Sequence, residues 1–478
     1  MADDDLVEKS DLTPQEIRLI ACAAKGASWE PEPVDGETPD MNASGEANWH
    51  ENRTLRAEVL RCLLIGDIWP GHVAPWHIDP HGVRINGASI NGKFSLRGAV
   101  LDRALFLFRC RFDARPDLGR AETRTLSFAG SHLPHGIGAN SVIVKGALHL
   151  RDGFKAGNEV NLIRATIDGQ FDCENGSFEN AGGKALSLDA AIIGADVFLH
   201  SGFKALGAVS LIRATINGQL ACTKGNFQNP GNTALDLDSV TVGADVFLDG
   251  GLNAVGKVDL IGAKIDGDLR IRNSSFANPD GDAINLTLAE IGAGLFLTGL
   301  RAKSGSGPGL VGRLRLDQAR CRTFCDDRQS WPENGKLTLD GFVYERFDNS
   351  EIGWRTRREW LERQDPEHLG KRFRPQPWTQ AIAVLRAMGH DDDARELGLR
   401  REIARARSSS VGFFGTLWLY LLRAIVGNGY KPWRAVGWSA AFLLIGWFVF
   451  SAAAMQGYIA PRDGNVRVSD GWKKNHAL

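Results

Sequence analysis

Apolar and polar residues alternate along most of the chain, in short groups that are separated by turn residues. One representative unit has apolar residues at Leu186 and Leu188, at Ala191 and Ile193, and at Val197 and Leu199. A period of two is typical of β-strands with one buried face, whereas a helix would need spacings of three and four. The pattern therefore predicts three short strands joined by turns in each unit.

The alternating unit repeats at a regular spacing. LIRATIDGQFDC begins at Leu162, LIRATINGQLAC at Leu211 and LIGAKIDGDLRI at Leu260, so the three copies begin at equal intervals. Two apolar columns inside this repeat alternate between a shorter and a longer step: Val142, Ala165, Ala191, Ala214, Val240, Ala263, Ala289, and Val144, Ile167, Ile193, Ile216, Val242, Ile265, Ile291. Each repeat is thus two coils. Coils that bury apolar faces only against their neighbours form solenoids, so we predict a mostly β, right-handed parallel β-helix.

Helical patterns flank the predicted β-helix. A capping box runs from Thr13 to Glu16, and Gly389 is placed to end the first helix of a hairpin. The predicted segments are an N-terminal arm with one short helix, partly disordered (1–47), a helical cap (48–80), the β-helix (81–347), a linker (348–377), the helical hairpin (378–408), an interfacial amphipathic helix (411–427), a transmembrane helix (433–456) and a tail (457–478).

The segment from Ala435 to Met455 contains no charged residue. An apolar helix of this length is sufficient to cross a hydrocarbon core of about 30 Å, so we predict one transmembrane helix and the lipid bilayer as a partner. Basic residues lie on both sides of the segment, and the acidic start MADDDLVEKSD lacks the pattern of a secretory signal. We therefore expect a membrane protein with the bulk of its chain in the cytoplasm.

Composition narrows the possible chemistry. The net charge of −1 provides no basic field for nucleic acid, so we predict no nucleic-acid partner. Seven cysteines are too few and irregular for a disulfide framework. The glycine motif GPGLVG precedes a strand rather than a helix, and CRTFC has no second ligand pair. We therefore predict no cofactor and no metal.

Several repeated polar positions are interpreted as structural. Asp168, Asn217 and Asp266 each precede a glycine, as in turns with unusual backbone angles. Cys173 and Cys222 fall in an inward column and are expected to be small core side chains. The longer turns ENGSFENAGGKA, TKGNFQNPGNTA and RNSSFANPDGDA are expected to stack phenylalanines and an asparagine ladder, formed by Phe178, Phe227, Phe276, Asn180, Asn229 and Asn278.

One outward column is the best candidate for binding. Phe198, Phe247 and Phe296 each lie between two inward residues, so they should project outward on every second coil, about 9 to 10 Å apart. Asp196 and Asp245 lie two residues before the first two rings, and Asp268 lies in the coil after Asp245. We expect Asp245 and Asp268 to be neighbours at roughly 5 Å, a separation compatible with paired-carboxylate chemistry or a cation site. The alternatives are a stripe covered by another part of the chain and a solvated acidic face.

Five motifs together resemble a bacterial family of membrane-associated β-helix proteins with pentapeptide-like repeats, often labelled membrane-associated oxidoreductase: RTLRAEVLRCLL, VRINGASINGKFSL, LTLDGFVYERF, FRPQPWTQAIAVLRAMGHDDDAR and GNGYKPWRAVGW. The resemblance covers about residues 48–456 and implies a location at the bacterial inner (cytoplasmic) membrane. It also implies further sequence with a second membrane span beyond GWKKNHAL. It brings no established catalytic residues, and no redox motif in this sequence supports the oxidoreductase label.

The sequence thus predicts a membrane-tethered cytoplasmic scaffold or binding protein. Its repetitive surface would contact a protein partner or a second copy of the chain, because a repeated surface suits extended contacts. The alternative is a membrane-associated enzyme. This would be an oxidoreductase, as the family label implies, or a carboxylate- or cation-dependent activity on the solenoid face.

Overall fold

The computed structural model describes residues 11–32, 49, 51–302, 309–348, 351–407 and 433–458. They form a parallel β-solenoid of about 11 turns with an N-terminal helix, C-terminal helices and one long apolar helix near the C terminus. The mostly β, parallel solenoid predicted from the alternating pattern is therefore confirmed. Its strands belong to one sheet of 21 strands and one of 14 strands, with parallel pairing between successive coils.

The solenoid begins earlier than the sequence pattern indicates. A strand from the predicted arm pairs with the coil at Val83–Asn86, and a strand from the predicted cap pairs with Ser89–Asn91. Trp29 anchors the first of these strands because it is fully buried and its indole N–H donates to the Gln15 carbonyl at 3.1 Å. The strands of this half are β1 (Ser28–Trp29), β2 (Thr54–Arg56), β3 (Val83–Asn86), β4 (Ser89–Asn91), β5 (Leu105–Phe108), β6 (Arg111–Phe112), β7 (Glu122–Thr123), β8 (Leu126–Ser127), β9 (His132–Leu133), β10 (Ile137–Gly138), β11 (Ile143–Val144), β12 (Leu148–His149), β13 (Lys155–Ala156) and β14 (Val160–Asn161).

The middle coils contain short strands and one longer strand each, and the longer strand has seven or 11 residues in alternate coils. The 11-residue strands pass through the segments that we predicted to be long turns, with shifts of register where the extra residues bulge out. These strands are β15 (Thr166–Ile167), β16 (Phe171–Asp172), β17 (Ser177–Ser187), β18 (Ile192–Ile193), β19 (Val197–Phe198), β20 (Lys204–Ser210), β21 (Thr215–Ile216), β22 (Leu220–Ala221), β23 (Asn226–Asp236), β24 (Thr241–Val242), β25 (Val246–Phe247), β26 (Asn253–Asp259), β27 (Lys264–Ile265), β28 (Leu269–Arg272), β29 (Ser275–Asn285), β30 (Glu290–Ile291) and β31 (Gly294–Thr298).

The last coils are followed by helices. The strands are β32 (Leu310–Arg315), β33 (Arg320–Asp326), β34 (Leu337–Thr338) and β35 (Val343–Phe347). The helices of the whole described chain are α1 (Pro14–Ala24), α2 (Ala57–Ile65), α3 (Trp354–Leu361), α4 (Pro366–Leu369), α5 (Gln376–Ala387), α6 (Asp391–Arg407) and α7 (Trp433–Met455), with 3-10 turns at Glu51–Arg53 and Arg328–Ser330.

The predicted inward columns form the core. Every member of the two apolar columns that run from Val142 to Ala289 and from Val144 to Ile291 is buried, and Cys173 and Cys222 are buried with them. The rings of Phe154, Phe178, Phe203 and Phe227 stack through the core with centroids 5.3, 5.3 and 5.2 Å apart. The alternation of the sequence therefore assigned the inward face correctly.

The asparagines of the longer segments do not form the predicted ladder. The side-chain amides of Asn180, Asn229 and Asn278 each donate to the carbonyl four residues later in their own loop at 2.8 Å. They cannot bond one another because they occur on alternate coils, about 9 to 10 Å apart. Each asparagine therefore closes its own bulge.

The corners of the coils are set by residues other than those predicted. Arg164 and Arg213, in the repeated motif, adopt left-handed backbone angles with φ near +56°, and the third copy has Gly262 there at φ +61°. Asp168 and Gly169, by contrast, do not have positive φ. A Cβ on Gly169 would lie 2.8 Å from backbone atoms of Gly146 in the preceding coil. The glycine is therefore needed for close stacking, and the predicted turn chemistry was wrong.

The predicted linker 348–377 instead contains α3 and α4 and leads into α5. Arg357 of α3 is fully buried and forms a bidentate ion pair with Asp326 at 2.9 and 3.2 Å, while the Trp331 indole donates to the same carboxylate at 2.7 Å. Its guanidinium also lies 4.3 Å from the Phe347 ring centroid. An arginine-rich segment resembles a solvated linker in sequence, but this arginine faces inward and fixes α3 to the last coils.

Among the described residues, one helix segment, Val436–Met455, is long and apolar enough to cross a membrane by its length and composition, and none of it is buried. It forms most of α7. The predicted interfacial helix 411–427 and the tail beyond residue 458 lie outside the described residues.

The core assignment yields a direct test. We expect Ile216→Asp to prevent stable folding, because it buries a carboxylate without a partner at a cost of roughly 3 kcal/mol or more. Thr215→Asp, which changes the adjacent outward and half-buried side chain, should retain a near-native circular dichroism spectrum and melting temperature. A stable Ile216→Asp protein beside an unfolded Thr215→Asp protein would reverse the assignment of the two faces.

Candidate functional site

An outward column of the larger sheet contains the three predicted phenylalanines. Strands β19, β22, β25, β28 and β31 place Phe198, Ala221, Phe247, Arg270 and Phe296 in register on successive coils. We call these five residues the aromatic face. The three rings are half-buried and occur on every second coil, about 9 to 10 Å apart.

Polar side chains of the same sheet cover part of each ring. The guanidinium of Arg270 lies 5.0 Å from the Phe247 ring centroid, and that of Arg272 lies 5.6 Å from the Phe296 centroid. His200 packs edge-on against Phe198 at 5.1 Å. Contacts between a cation and a ring face are favourable by about 0.5 to 1 kcal/mol at exposed sites. The rings are therefore partly shielded by these side chains.

The aspartates beside the rings stabilise the stacking of coils. One carboxylate oxygen of Asp196 accepts the backbone N–H of Gln219 at 2.9 Å, and Asp245 accepts that of Asp268 at 2.8 Å. Asp268 accepts the N–H of Gly294 at 2.9 Å. Each of these amides is in the next coil. All three predicted aspartates thus have a structural role that the sequence did not indicate.

The predicted pair Asp245 and Asp268 is bridged by an arginine. Arg270 lies 3.2 Å from the Asp245 carboxylate and 2.9 Å from the Asp268 carboxylate. An arginine between two carboxylates reduces their mutual repulsion and takes the position in which a cation would bind. Within the residues that the structure describes, no cluster of three or more His, Cys, Asp or Glu could hold a metal ion.

A different carboxylate pair has a perturbed pKa. Asp236 and Asp259 are directly in register on β23 and β26, and Asp259 is only 5% exposed. Burial raises the pKa of Asp236, and the neighbouring Asp259 adds to this effect. Lys257 contacts one oxygen of Asp259, while its other oxygen is buried and has no hydrogen-bond partner within the described chain. Sequence reasoning missed this pair because β23 and β26 have different lengths, which hides their register.

Ser127, His149 and Asp172 lie in register on successive coils upstream of the aromatic face. These are the residue types of a hydrolase triad, but Ser127 is 2% exposed and its hydroxyl accepts the Ala129 N–H at 3.4 Å. His149 Nδ1 lies 3.7 Å from the Asp172 carboxylate, which is beyond hydrogen-bond distance. Burial raises the pKa of Asp172, but His149, the Glu174 N–H and Arg151 lower it by more. The pKa of this carboxyl is therefore below its ordinary value. The array therefore holds a charge-compensated carboxylate and lacks an accessible nucleophile.

Four cysteines of the solenoid have raised pKa values, which disfavours a reactive thiolate at these positions. Burial raises the pKa of Cys321 to about 12, and burial together with the nearby carboxylates of Asp348, Asp326 and Asp327 raises that of Cys325 to about 11. Burial also raises the pKa of Cys173 and Cys222. Reactive cysteines require a lowered pKa, so these residues give no support to a thiol-based redox activity.

Comparison with known proteins returns no matching family model, curated protein or solved structure. Of the resemblance described from the five sequence motifs, the β-solenoid fold is borne out by the structure, and the comparisons name no family. The candidate site has to be judged on its own residues.

The perturbed pKa of Asp236 predicts a pH-dependent stability. The folded state binds the proton of the Asp236 carboxyl more tightly than the unfolded state does. The contribution of protonated Asp236 to the free energy of unfolding is therefore fully present below the unfolded pKa of about 3.9 and is lost as the pH rises through the raised pKa of the folded state. We expect Asp236→Asn to raise the melting temperature at pH 7 and to change it little near pH 3. Asp236 accepts the backbone N–H of Asp238 at 3.2 Å. Asn161 and Asn285 accept the equivalent backbone N–H in other coils of this column, so an asparagine side chain should be tolerated at position 236.

Asp266→Asn is the matched control because Asp266 is exposed. It should leave the melting temperature unchanged at both pH values. A lower melting temperature of the Asp236→Asn protein at pH 7 would show that the charged form is stabilising and would contradict the prediction.

Proposed function

We propose that this chain is a membrane-tethered scaffold whose aromatic face binds a protein partner or a second copy of the chain. The observation that carries the proposal is a half-exposed column of phenylalanines and an arginine on a regular, hydrogen-bonded backbone. Aromatic residues and arginine are enriched in protein interfaces, and a rigid repeated surface presents them without a large cost in conformational entropy.

The charges of the face favour a protein over nucleic acid as the partner. Arg270 is balanced by Asp245 and Asp268, and Arg272 lies 3.9 Å from Asp249. Nucleic-acid binding depends on unpaired basic residues that neutralise phosphates. A partner that displaces the arginines from the rings would gain both apolar contact and new polar contacts at the rim.

The membrane part of the proposal depends on α7. Its spanning segment exposes large apolar side chains such as Phe442, Trp447 and Phe450, which an aqueous environment would disfavour. We propose that this helix crosses the bacterial inner membrane and that the solenoid lies in the cytoplasm. The solenoid would then be held at the membrane surface with its aromatic face available to partners.

The alternative enzymatic function has less support. The predicted acidic residues are used for coil stacking and for pairing with Arg270, and the oxidoreductase label of the resembling family has no corresponding residues here. A carboxylate-dependent enzyme would predict that Asp245→Asn or Asp268→Asn abolishes turnover while Phe247→Ala does not.

Site-specific photocrosslinking tests the scaffold directly. A benzoylphenylalanine at Phe247 should give a discrete covalent adduct in intact cells, because the ring would lie in the interface. The mass of the adduct distinguishes a second copy of this chain from another protein. Phe247→Ala should weaken the same association about tenfold while the fold is retained, as expected for loss of an interface ring worth about 1.4 kcal/mol.

The matched control is Ile192, which is 51% exposed on the neighbouring column of the same sheet. The photoreactive residue at Ile192 should give no discrete adduct, and Ile192→Ala should not affect association. Identical adducts from both positions, or association that is unchanged in Phe247→Ala, would refute the proposed binding face.

Removal of the apolar helix tests the membrane tether. A chain ending at Tyr430 lacks the described span and should move largely from the membrane pellet to the supernatant on ultracentrifugation, with some retention if 413–426 lies at the membrane surface. Replacement of Trp447 by Ala in the full chain is the control and should leave the protein in the pellet. An unchanged pellet fraction for the shortened chain would contradict the tether.

A reporter inserted after Ile291 tests the side of the membrane on which the solenoid lies. Activity of this reporter only in an exported compartment would contradict the cytoplasmic location.

A further inference from the structure

An apolar loop lies between α2 and β3, at the N-terminal end of the solenoid. Its segment 68–76 reads IWPGHVAPW and contains no Asp, Glu, Lys or Arg. We call this segment the tryptophan loop. The Val73 side chain at its tip is 99% exposed, and the Ile68 side chain is 56% exposed. Contiguous apolar side chains that project into water usually mark a surface that contacts another phase or another molecule.

Two tryptophan rings form the base of this loop. The Trp69 and Trp76 rings stack with centroids 6.0 Å apart, and the His72 ring packs edge-on against Trp76 at 5.5 Å. The His72 backbone N–H donates to the Trp69 carbonyl at 3.0 Å, which closes the turn. Trp76 also packs against the hydrophobic core of the solenoid. The loop is therefore attached to the fold through its base, while Val73 projects away from it.

Charged side chains beside the base of the loop contact side chains of opposite charge. These pairs are Arg61 with Asp67 at 3.4 Å, Arg56 with Asp11 at 2.8 Å and His81 with Asp79 at 2.5 Å. The guanidinium of Arg56 also lies 5.5 Å from the Trp69 ring centroid. A charged partner would have to compete with these pairs, whereas an apolar partner could bury the tip and leave them in place.

We propose that the tryptophan loop inserts its tip into the boundary between the headgroups and the acyl chains of a lipid bilayer. The proposal rests on the membrane tether, because α7 contains the segment that is long and apolar enough to cross a bilayer. Tryptophan is enriched at membrane–water interfaces, and Val73 and Ile68 supply hydrocarbon contact. A bilayer is favoured over a protein partner because the segment has no charged side chain for the polar rim that protein interfaces have.

The insertion is expected to be shallow. Backbone N–H and C=O groups of an irregular loop cannot stay unpaired in the hydrocarbon region, so the base must remain among the headgroups and water. Apolar faces of interfacial elements are buried about 5 to 10 Å deep, and such contacts are reversible. The loop therefore supplements the span of α7 and does not replace it.

A second contact would determine how the solenoid lies at the membrane. The loop precedes the first coils, whereas α7 follows the last coil, and about 11 turns lie between them. At a spacing of about 4.8 Å per coil, the two contacts are separated by roughly 50 Å of solenoid. Attachment at both ends would hold the long axis of the solenoid along the membrane surface.

Quenching by brominated lipid tests this contact on the full chain. The chain is reconstituted into phosphatidylcholine vesicles with an environment-sensitive fluorescent amino acid in place of Val73. Bromine atoms near the headgroup end of the acyl chains should quench about half of its fluorescence, as expected for a probe about 5 to 10 Å deep. The same probe in place of Trp447 reports the tether. Leu206, which is 44% exposed on β20 of the smaller sheet, is the matched control and should show no quenching.

A charge in the loop tests whether the contact is apolar. In the chain with the probe at Val73, Ile68→Asp should reduce the quenching at least about threefold, because a carboxylate is unfavourable in the acyl region. Leu206→Asp should leave the quenching at Val73 unchanged. Both substituted side chains are exposed, and the melting temperature of each variant verifies its fold.

The possible failures can be told apart. Quenching at position 447 without quenching at position 73 would overturn the loop contact and leave the tether intact, whereas no quenching at either position would contradict both. Equal quenching at positions 73 and 206, or quenching that survives Ile68→Asp, would also overturn the loop contact. A discrete protein adduct from benzoylphenylalanine at position 73 in intact cells would identify a protein as the partner instead. None of these results bears on crosslinking from Phe247.

Discussion

Parallel hydrogen bonds between successive coils hold each strand about 4.8 Å from the next in a fixed register, as in the series Ile193, Ile216 and Val242. A slip of one residue would exchange the inward and outward faces of a strand, so this register determines both the core and the surface. The spacing also explains the recurrent glycines. A Cβ on Gly194 would lie 2.2 Å from the Asp168 carbonyl oxygen, and one on Gly243 would lie 2.5 Å from that of Asn217.

The two-coil repeat follows from complementary volumes within this spacing. In one core column Phe178, Ala205, Phe227 and Ala254 alternate in register, so large and small side chains follow one another. Phe203 fills the space in the coil that has Ala205, and its ring stacks between those of Phe178 and Phe227. Leu252 takes the equivalent place in the coil that has Ala254, so each of these coils contributes one large apolar side chain from one of two adjacent columns. Native packing density is kept by this alternation, and a pair of coils is the shortest unit that contains both coil types.

Much of the fold could be predicted from the sequence because the signal is periodic. The alternation that places Ile216 inward is local, and the repeat confirms it in every coil. The contacts of Arg357 and the pair Asp236 and Asp259 could not be predicted, because they depend on which residues of distant segments come into register. The site residues could be predicted in part. The outward position of Phe247 followed from its neighbours, whereas the bridging role of Arg270 depends on how the coils that carry Asp245 and Asp268 stack.

The ends of the solenoid indicate which surfaces remain for contact with other molecules. An open end of a β-solenoid presents unpaired backbone groups that promote edge-to-edge aggregation. At the C-terminal end, Gln380 donates to the Tyr344 carbonyl at 2.6 Å, and Gln376 donates to Phe342 at 3.1 Å and accepts the Gly341 N–H at 2.9 Å.

The N-terminal end of the solenoid is also covered by helices. The buried Glu16 carboxylate of α1 forms an ion pair with Arg56 at 2.8 Å, and α2 packs its apolar residues Leu60 and Leu63 into the core cluster. Helices and side chains thus occupy both ends, which disfavours assembly by strand addition. Association of this chain with itself or with a partner is then expected to use a lateral face, and the aromatic face is the lateral surface where half-exposed rings recur in register.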